Sequence, residues 1–229
     1  MTEVLESIST VDGMLSVVRK DNMLALRLGD VGYSCIYTDN SMYQPIYIPI
    51  QKLLFSFAQS YHLENVLVLG GGCCTIPRYI IKQFNNTIVI DTVECCEEII
   101  SLTHKYFLTN LPTDNLNIIA DNAFYFIEKS DKKYDFIYID LFVGSVMPKQ
   151  VQTSLFLKNL SEHAKQNCLV AFNVYKSSID ECRGITQLGI TYFKHFAIIA
   201  DEEDENGRYV IFLNDSIDKL FPVNIIESK

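Results

Sequence analysis

The sequence predicts an α/β chain: a mostly parallel sheet with its last strand antiparallel, preceded by a small antiparallel β module. Three observations carry this. From residue 65 onward strand-like and helix-like segments alternate, the pattern of a parallel sheet covered on both faces. Near the carboxyl terminus HFAIIA and RYVIFL flank DEEDENG, an acidic turn with Asn206 and Gly207 placed for a hairpin, so the final strand should run against the rest. Over roughly the first forty residues the chain holds short β-rich segments, which sets the boundaries at 1–44 for the module and 45–229 for the sheet domain.

Within the module, LSVVRK, MLALRLG and YSCIYT are separated by KDN and GDVG, both good turn formers. SMYQPIYIPIQKLLFSFAQSYH then reads as the helix joining the two domains. Pro49 suits a first helical turn, and Ile50, Leu53, Leu54 and Phe57 recur at helical spacing. The main sheet is assigned NVLVLG, TIVIDTVE, NLNIIAD, YDFIYID and CLVAFNVY. Between these strands Ile76, Ile80 and Phe84 share one helical face, as do Ile100, Thr103 and Phe107, while 124–129 and 154–164 fill the remaining gaps.

With 229 residues, 48% hydrophobic and 21% charged, the chain is long enough for one sizeable core plus a small extra module. It contains no run of eighteen apolar residues, and MTEVLESISTVDG has neither a basic nor an apolar leader segment. A cytoplasmic location without a membrane partner is therefore expected. A net charge of -9 with no Lys/Arg cluster argues against nucleic acid and is compatible with a cationic ligand. Seven cysteines, none in a CxxC, fit reduced thiols, and four scattered histidines give no support to a metal site.

In an open α/β sheet the ligand sits beyond the carboxyl ends of the strands, so the residues that follow each strand are the candidates. Gly70, Gly71 and Gly72 end the first strand, where missing Cβ atoms let backbone N–H groups approach a ligand. Glu94 ends the second strand, about twenty residues on, at the place where an acid accepts hydrogen bonds from ribose hydroxyls. Asp121 and Asn122 follow the third strand, and Asp140 follows the fourth. Asp121 suits an exocyclic adenine amine or a helix cap, and Asp140 suits proton transfer with whatever reacts. Cys73/Cys74 and Cys95/Cys96 lie at neighbouring strand ends, which leaves two readings, a redox or metal role or the commoner one of small buried hydrophobes.

These residues resemble the spermidine synthase group, within the class that binds S-adenosylmethionine on a Rossmann-like, methyltransferase-type sheet. The likeness is carried by VLVLGGG, by VE at the second strand, by ADNAFYFIE, and by YDFIYID continuing into LFVGSVMPKQVQTSLFLKNL, with a later FNVY. It extends over most of residues 32–213. The resemblance implies that the glycine loop with Cys73 supports the methionine part of the co-substrate, Glu94 binds ribose, and Asp121 with Asn122 holds adenine. It implies further that Asp140 handles the attacking amine and that Tyr43 and Gln44 line the substrate side. The reaction implied is aminopropyl transfer from decarboxylated S-adenosylmethionine to a small amine, in a chain that forms a homodimer. Two departures weaken the polyamine side. Cys73 stands where the group has an Asp directly after the glycines, and Leu141, Phe142 and Val143 follow Asp140 where a second acid belongs.

Losing acids from sites that hold ammonium groups reduces polyamine selectivity. Methyl transfer from S-adenosylmethionine is thus the alternative, with backbone N–H groups of residues 73–75 and Arg78 available for the methionine carboxylate. A non-catalytic nucleotide-binding protein is the further alternative, and Asp140→Asn separates it from both enzymes.

Overall fold

The computed structural model describes residues 2–39, 41–84, 87–202, 204–214 and 224–228. Its amino-terminal sheet is antiparallel, in the order β1 (Glu3–Thr10), β2 (Gly13–Lys20), β3 (Met23–Leu28) and β4 (Val31–Tyr37). The last three match the expected segments, and β1 is additional. Its Leu5 and Ile8 pack against the core while Glu3, Ser7 and Ser9 stay exposed, so this edge strand carries little apolar signal. Helix α1 (Ile48–Ser60) follows with Pro49 in its first turn and buries Ile50, Leu53, Leu54 and Phe57, as the spacing predicts.

The larger sheet runs β12-β10-β11-β9-β8-β5-β6-β7. Five of its strands are parallel: β5 (Asn65–Leu69), β6 (Val89–Glu94), β7 (Leu116–Ala120), β8 (Tyr134–Ile139) and β9 (Ala164–Asn173). The hairpin expected around DEEDENG joins β10 (His195–Ala200) to β11 (Arg208–Leu213), and β11 inserts antiparallel between β10 and β9. A further edge strand, β12 (Asn224–Ser228), is antiparallel to β10.

The crossovers are α2 (Thr75–Gln83), α3 (Glu97–Leu102) running into a π turn at Thr103–Phe107, α4 (Ala123–Lys129), α5 (Ser154–His163) and α6 (Ile179–Gly189). Ile99 and Leu102 join Thr103 and Phe107 on the buried face of α3 and its π turn, whereas Ile100 is half-buried. Helix α6 lies outside the expected set, although its start is written in the sequence. Ser178 Oγ accepts from Glu181 N at 3.2 Å and Ser178 N donates to Glu181 Oε2 at 2.6 Å, a capping box.

Alternation along β8 divides the core. Phe136 and Tyr138 face the cluster with α1 and α2, and Ile137 and Ile139 face the cluster with α4, α5 and α6. A third cluster packs Leu15, Val17, Leu26 and Ile36 of the module against Cys73, Leu102 and Phe107. Full burial of a Leu or Ile contributes about 1.5–3 kcal/mol, so this contact seats the module over the end of the sheet where the glycine loop lies.

Among the described residues, no helix is long and apolar enough to cross a membrane.

Candidate active site

Strand β5 stands between β8 and β6, at the reversal of strand order where doubly wound sheets open a crevice. Beyond it, the N–H groups of Gly70 and Gly71 both donate to Val93 O, at 2.9 and 3.0 Å, and Asp140 N donates to Leu69 O at 2.8 Å. The loop therefore lies flat across two neighbouring strand ends. Gly70 has φ 89°, and a Cβ there would stand 2.1 Å from the Asp140 carbonyl oxygen; a Cβ on Gly71 would stand 2.7 Å from Thr92 Oγ1. Both positions require glycine on space alone, and Gly70 on backbone conformation as well.

Each expected carboxylate at a strand end faces this crevice, and each has distinct partners. Glu94, 7% exposed, accepts from Gly72 N through Oε2 at 2.9 Å and from Cys96 N through Oε1 at 3.0 Å. It ties the glycine loop to the start of α3, and each oxygen keeps a lone pair for a ligand hydroxyl. Asp121 accepts from Asn122 N at 2.7 Å, while Asn122 itself caps α4, accepting from Phe124 N at 2.9 Å and Tyr125 N at 3.4 Å. The cap is thus Asn122, whose exposed side chain is occupied with α4, and Asp121 lines the cavity.

Asp140 is clamped. Asn173 Nδ2, from the end of β9, donates to its Oδ1 at 2.8 Å, and the Tyr47 hydroxyl donates to the same carboxyl. Burial raises the Asp140 pKa to about 6, the two hydrogen bonds hold it down, and the charge of Glu94 adds to the rise. Tyr47 reaches it from the residue that precedes α1, in left-handed backbone with φ 62°, and meets Tyr138 edge-on with ring centroids 5.8 Å apart. Burial, followed by the Asp140 charge, pushes the Tyr47 phenol well above its ordinary range, so it stays a donor.

The enclosed space is about 760 Å³, within the ordinary size of a small-molecule site. The module contributes Lys20, Arg27 and Tyr33 to its wall, and the β10–β11 hairpin contributes Asp201 and Asp204. Leu141 and Phe142 line it beyond Asp140, so apolar surface stands where the spermidine synthase group has its second acid.

Four residues expected at the site do other work. The side chain of Cys73 is 0% exposed and belongs to the cluster under the module with Leu26, Ile36 and Phe107; burial pushes its thiol well up. Asn122 is the α4 cap. Tyr43 stacks on Tyr79 with centroids 6.0 Å apart, and Gln44, fully buried, accepts from Tyr37 N at 3.1 Å while its own N–H donates to Gln51 Oε1 at 2.7 Å. Gln44 braces β4 against α1, Tyr43 packs on α2, and Tyr47 holds the cavity position expected of Tyr43. Arg78 also points away from the cavity, donating to Phe107 O at 2.9 Å, and Cys74 N is engaged with Gly71 O at 2.8 Å. Of the anion cradle expected of residues 73–75 and Arg78, the fold itself thus engages Cys74 N and Arg78 Nη1. Asn173 lay inside the expected strand CLVAFNVY, and only the observed end of β9 puts it at the crevice; Tyr47 had no sequence signal.

Comparison with known proteins follows the same lines. Residues 50–179 match the family described as Spermine/spermidine synthase domain. The chain is 29% identical over 180 residues to the polyamine aminopropyltransferase of Buchnera aphidicola subsp. Schizaphis graminum, covering 75% of this chain and 51% of that protein. It is 32% identical over 117 residues to the N-terminal histidine N-methyltransferase of Emericella nidulans, covering 48% of this chain and 20% of that protein. The chain thus spans about half of the first of these curated relatives and a fifth of the second. Among solved structures, a probable spermidine synthase from Corynebacterium glutamicum superposes with a TM-score of 0.76 at 18% identity, over 95% of this chain and 81% of that one. At that identity the likeness establishes the shared fold.

Proposed function

The chain belongs to the Spermine/spermidine synthase domain family, and from that premise we propose that it is a transferase. In this reading it binds decarboxylated S-adenosylmethionine and moves its aminopropyl group to a small amine, or binds S-adenosylmethionine and moves a related group. The observation that carries the reading is Asp140, a carboxylate in the cavity wall held by Asn173 and Tyr47 with its pKa at about 6. Near neutral pH it is mostly ionised, yet basic enough to take a proton from an incoming amine. Bound S-adenosylmethionine, decarboxylated or not, supplies a carbon activated by a sulfonium leaving group. Orientation and proton removal are what remains for the protein. Asp140 holds the acceptor nitrogen and receives its proton as the new C–N bond replaces the C–S bond, whose electron pair stays on sulfur.

The co-substrate fits what the crevice offers. Gly70, Gly71 and Gly72 line the cavity with bare backbone, Glu94 presents lone pairs to ribose, and Asp121 presents a carboxylate to the adenine amine. A cytoplasmic homodimer is part of the same proposal, on the family resemblance.

Methyl transfer is the second reading, favoured by one observation: Lys20 and Arg27 of the module line the cavity and supply cations suited to the methionine carboxylate. Calorimetric titration with S-adenosylmethionine, its decarboxylated form and methylthioadenosine decides between the two. A tenfold or greater preference for the decarboxylated form, about 1.4 kcal/mol, supports aminopropyl transfer, and the opposite preference moves the reading to methyl transfer. Binding of none of the three overturns both.

A further inference from the structure

Glu94 and Asp140 mark the two ends of the transfer step, and the glycine loop runs between them: Gly72 N donates to Glu94 Oε2, and Gly70 abuts the Asp140 carbonyl. A ribose held at Glu94 carries the sulfonium on its exocyclic carbon, and the acceptor nitrogen stands at Asp140. The positive sulfur therefore belongs in the gap between the two acids. The module supplies the wall that closes this gap. Strand β4 is pinned to the loop, because Ser34 Oγ lies 2.8 Å from Thr75 Oγ1, which donates to Cys35 O at 3.0 Å, and a Cβ on Gly72 would stand 3.7 Å from that of Ser34. Tyr33, the residue before Ser34, is half-buried, packs on the module cluster and lines the cavity with Gly70, Gly72, Glu94 and Asp140. It senses the charges of both acids, that of Glu94 the more strongly. Burial, followed by the Glu94 charge, pushes its phenol well above the ordinary range, so the ring stays neutral.

A neutral aromatic ring attracts a cation through its negative face and gives an uncharged thioether no such attraction; in a partly desolvated site the difference is worth about tenfold in affinity. We propose that Tyr33 is a specificity-determining residue whose ring holds the sulfonium of the co-substrate and so separates the charged co-substrate from the neutral thioether left after transfer. The proposal rests on the transferase reading above. It applies to S-adenosylmethionine and to its decarboxylated form, since both carry the sulfonium on the same carbon. As the C–S bond breaks and its electron pair stays on sulfur, the positive charge disappears and the attraction with it, which favours release of the spent nucleoside. Glu94 and Asp140 draw the same cation, so only a change in the electrons of the ring isolates the part played by Tyr33.

The test uses the full chain, its Tyr33→Phe variant and a chain with pentafluorophenylalanine at position 33, which keeps the shape of phenylalanine and reverses the charge pattern of the ring. Each is titrated calorimetrically with two pairs of ligands that differ only in the methyl group and charge on sulfur. One pair is S-adenosylmethionine and S-adenosylhomocysteine; the other is decarboxylated S-adenosylmethionine and S-adenosylthiopropylamine. In whichever pair wild type binds, the sulfonium member is expected to bind more tightly by about tenfold or more. Tyr33→Phe should keep that ratio within about threefold, whereas the fluorinated ring should cut it by about tenfold with thioether affinity held within about threefold. The proposal is overturned if Tyr33→Phe loses the ratio, or if the fluorinated chain keeps it, equal weakening of both members included. A wild type that binds both members of a pair equally overturns it as well. If wild type binds neither pair, the transferase reading beneath it falls instead, so the two failures are told apart.

Discussion

Replacing Asp140 with Asn should change how stability depends on pH, and the size follows from the site. Asp140 titrates at about 6 in the folded chain against 3.8 for an unhindered side chain, chiefly because burial penalises its charged form. Between those two values the folded state holds the proton more tightly than the unfolded state. The contribution of this carboxyl is therefore most favourable in acid and is lost as pH rises from about 4 through 6. At about 1.4 kcal/mol per pH unit the full loss is about 3 kcal/mol; because Asp140 is partly open to the cavity, solvent screening trims this to about 2 kcal/mol. Asn does not titrate, and its amide oxygen still accepts from Asn173 or Tyr47. Urea unfolding of wild type and D140N at pH 4, 5, 6, 7 and 8 should give stability curves that diverge with rising pH, with wild type losing about 2 kcal/mol relative to the variant. Because the comparison is a difference, the other carboxylates cancel. Parallel curves would refute the claim that the cavity raises the pKa of Asp140. In the same variant, transfer activity should fall by about 10²–10⁴-fold, the usual contribution of a positioned base. More stable and less active is the signature of a group held at a functional cost.

Two further outcomes test the geometry around it. Gly70→Ala places a Cβ 2.1 Å from the Asp140 carbonyl oxygen at φ 89°, so thermal melts should show a loss of about 1–3 kcal/mol, and methylthioadenosine binding should weaken more than tenfold; an unchanged affinity would mean that the loop does not contact the nucleoside. Tyr47→Phe removes a donor that stabilises the Asp140 carboxylate, so the acid limb of the kcat/KM profile should move to higher pH, by about 1 unit or less for one hydrogen bond. A limb that stays in place would show that Tyr47 does not donate to Asp140 in solution.

Legibility in the sequence followed element type. The parallel strands and the hairpin could be read from apolar runs and turn residues because a strand covered on both faces is apolar throughout. Strand β1 escaped because an edge strand with exposed Glu3, Ser7 and Ser9 lacks that signature. Helix α6 was not among the expected elements although Ser178 and Glu181 form a capping box at its start, and β12 is a short edge strand paired only with β10 in the described sheet.

By itself, the sequence determined that Gly70, Gly71, Gly72, Glu94, Asp121 and Asp140 would meet. In a parallel sheet every strand delivers its carboxyl end to the same edge, so position along the chain converts directly into position around one crevice. Only the tertiary structure decided which neighbouring side chains complete that crevice. Left-handed backbone at Tyr47 brings its hydroxyl to Asp140, while Tyr43, only four residues earlier in sequence, stacks on Tyr79 instead. The thiol of Cys73 packs beneath a module from another part of the chain. Strand ends are set by local pattern, but the direction of a side chain and the company it keeps depend on single backbone dihedrals and on contacts between residues distant in sequence.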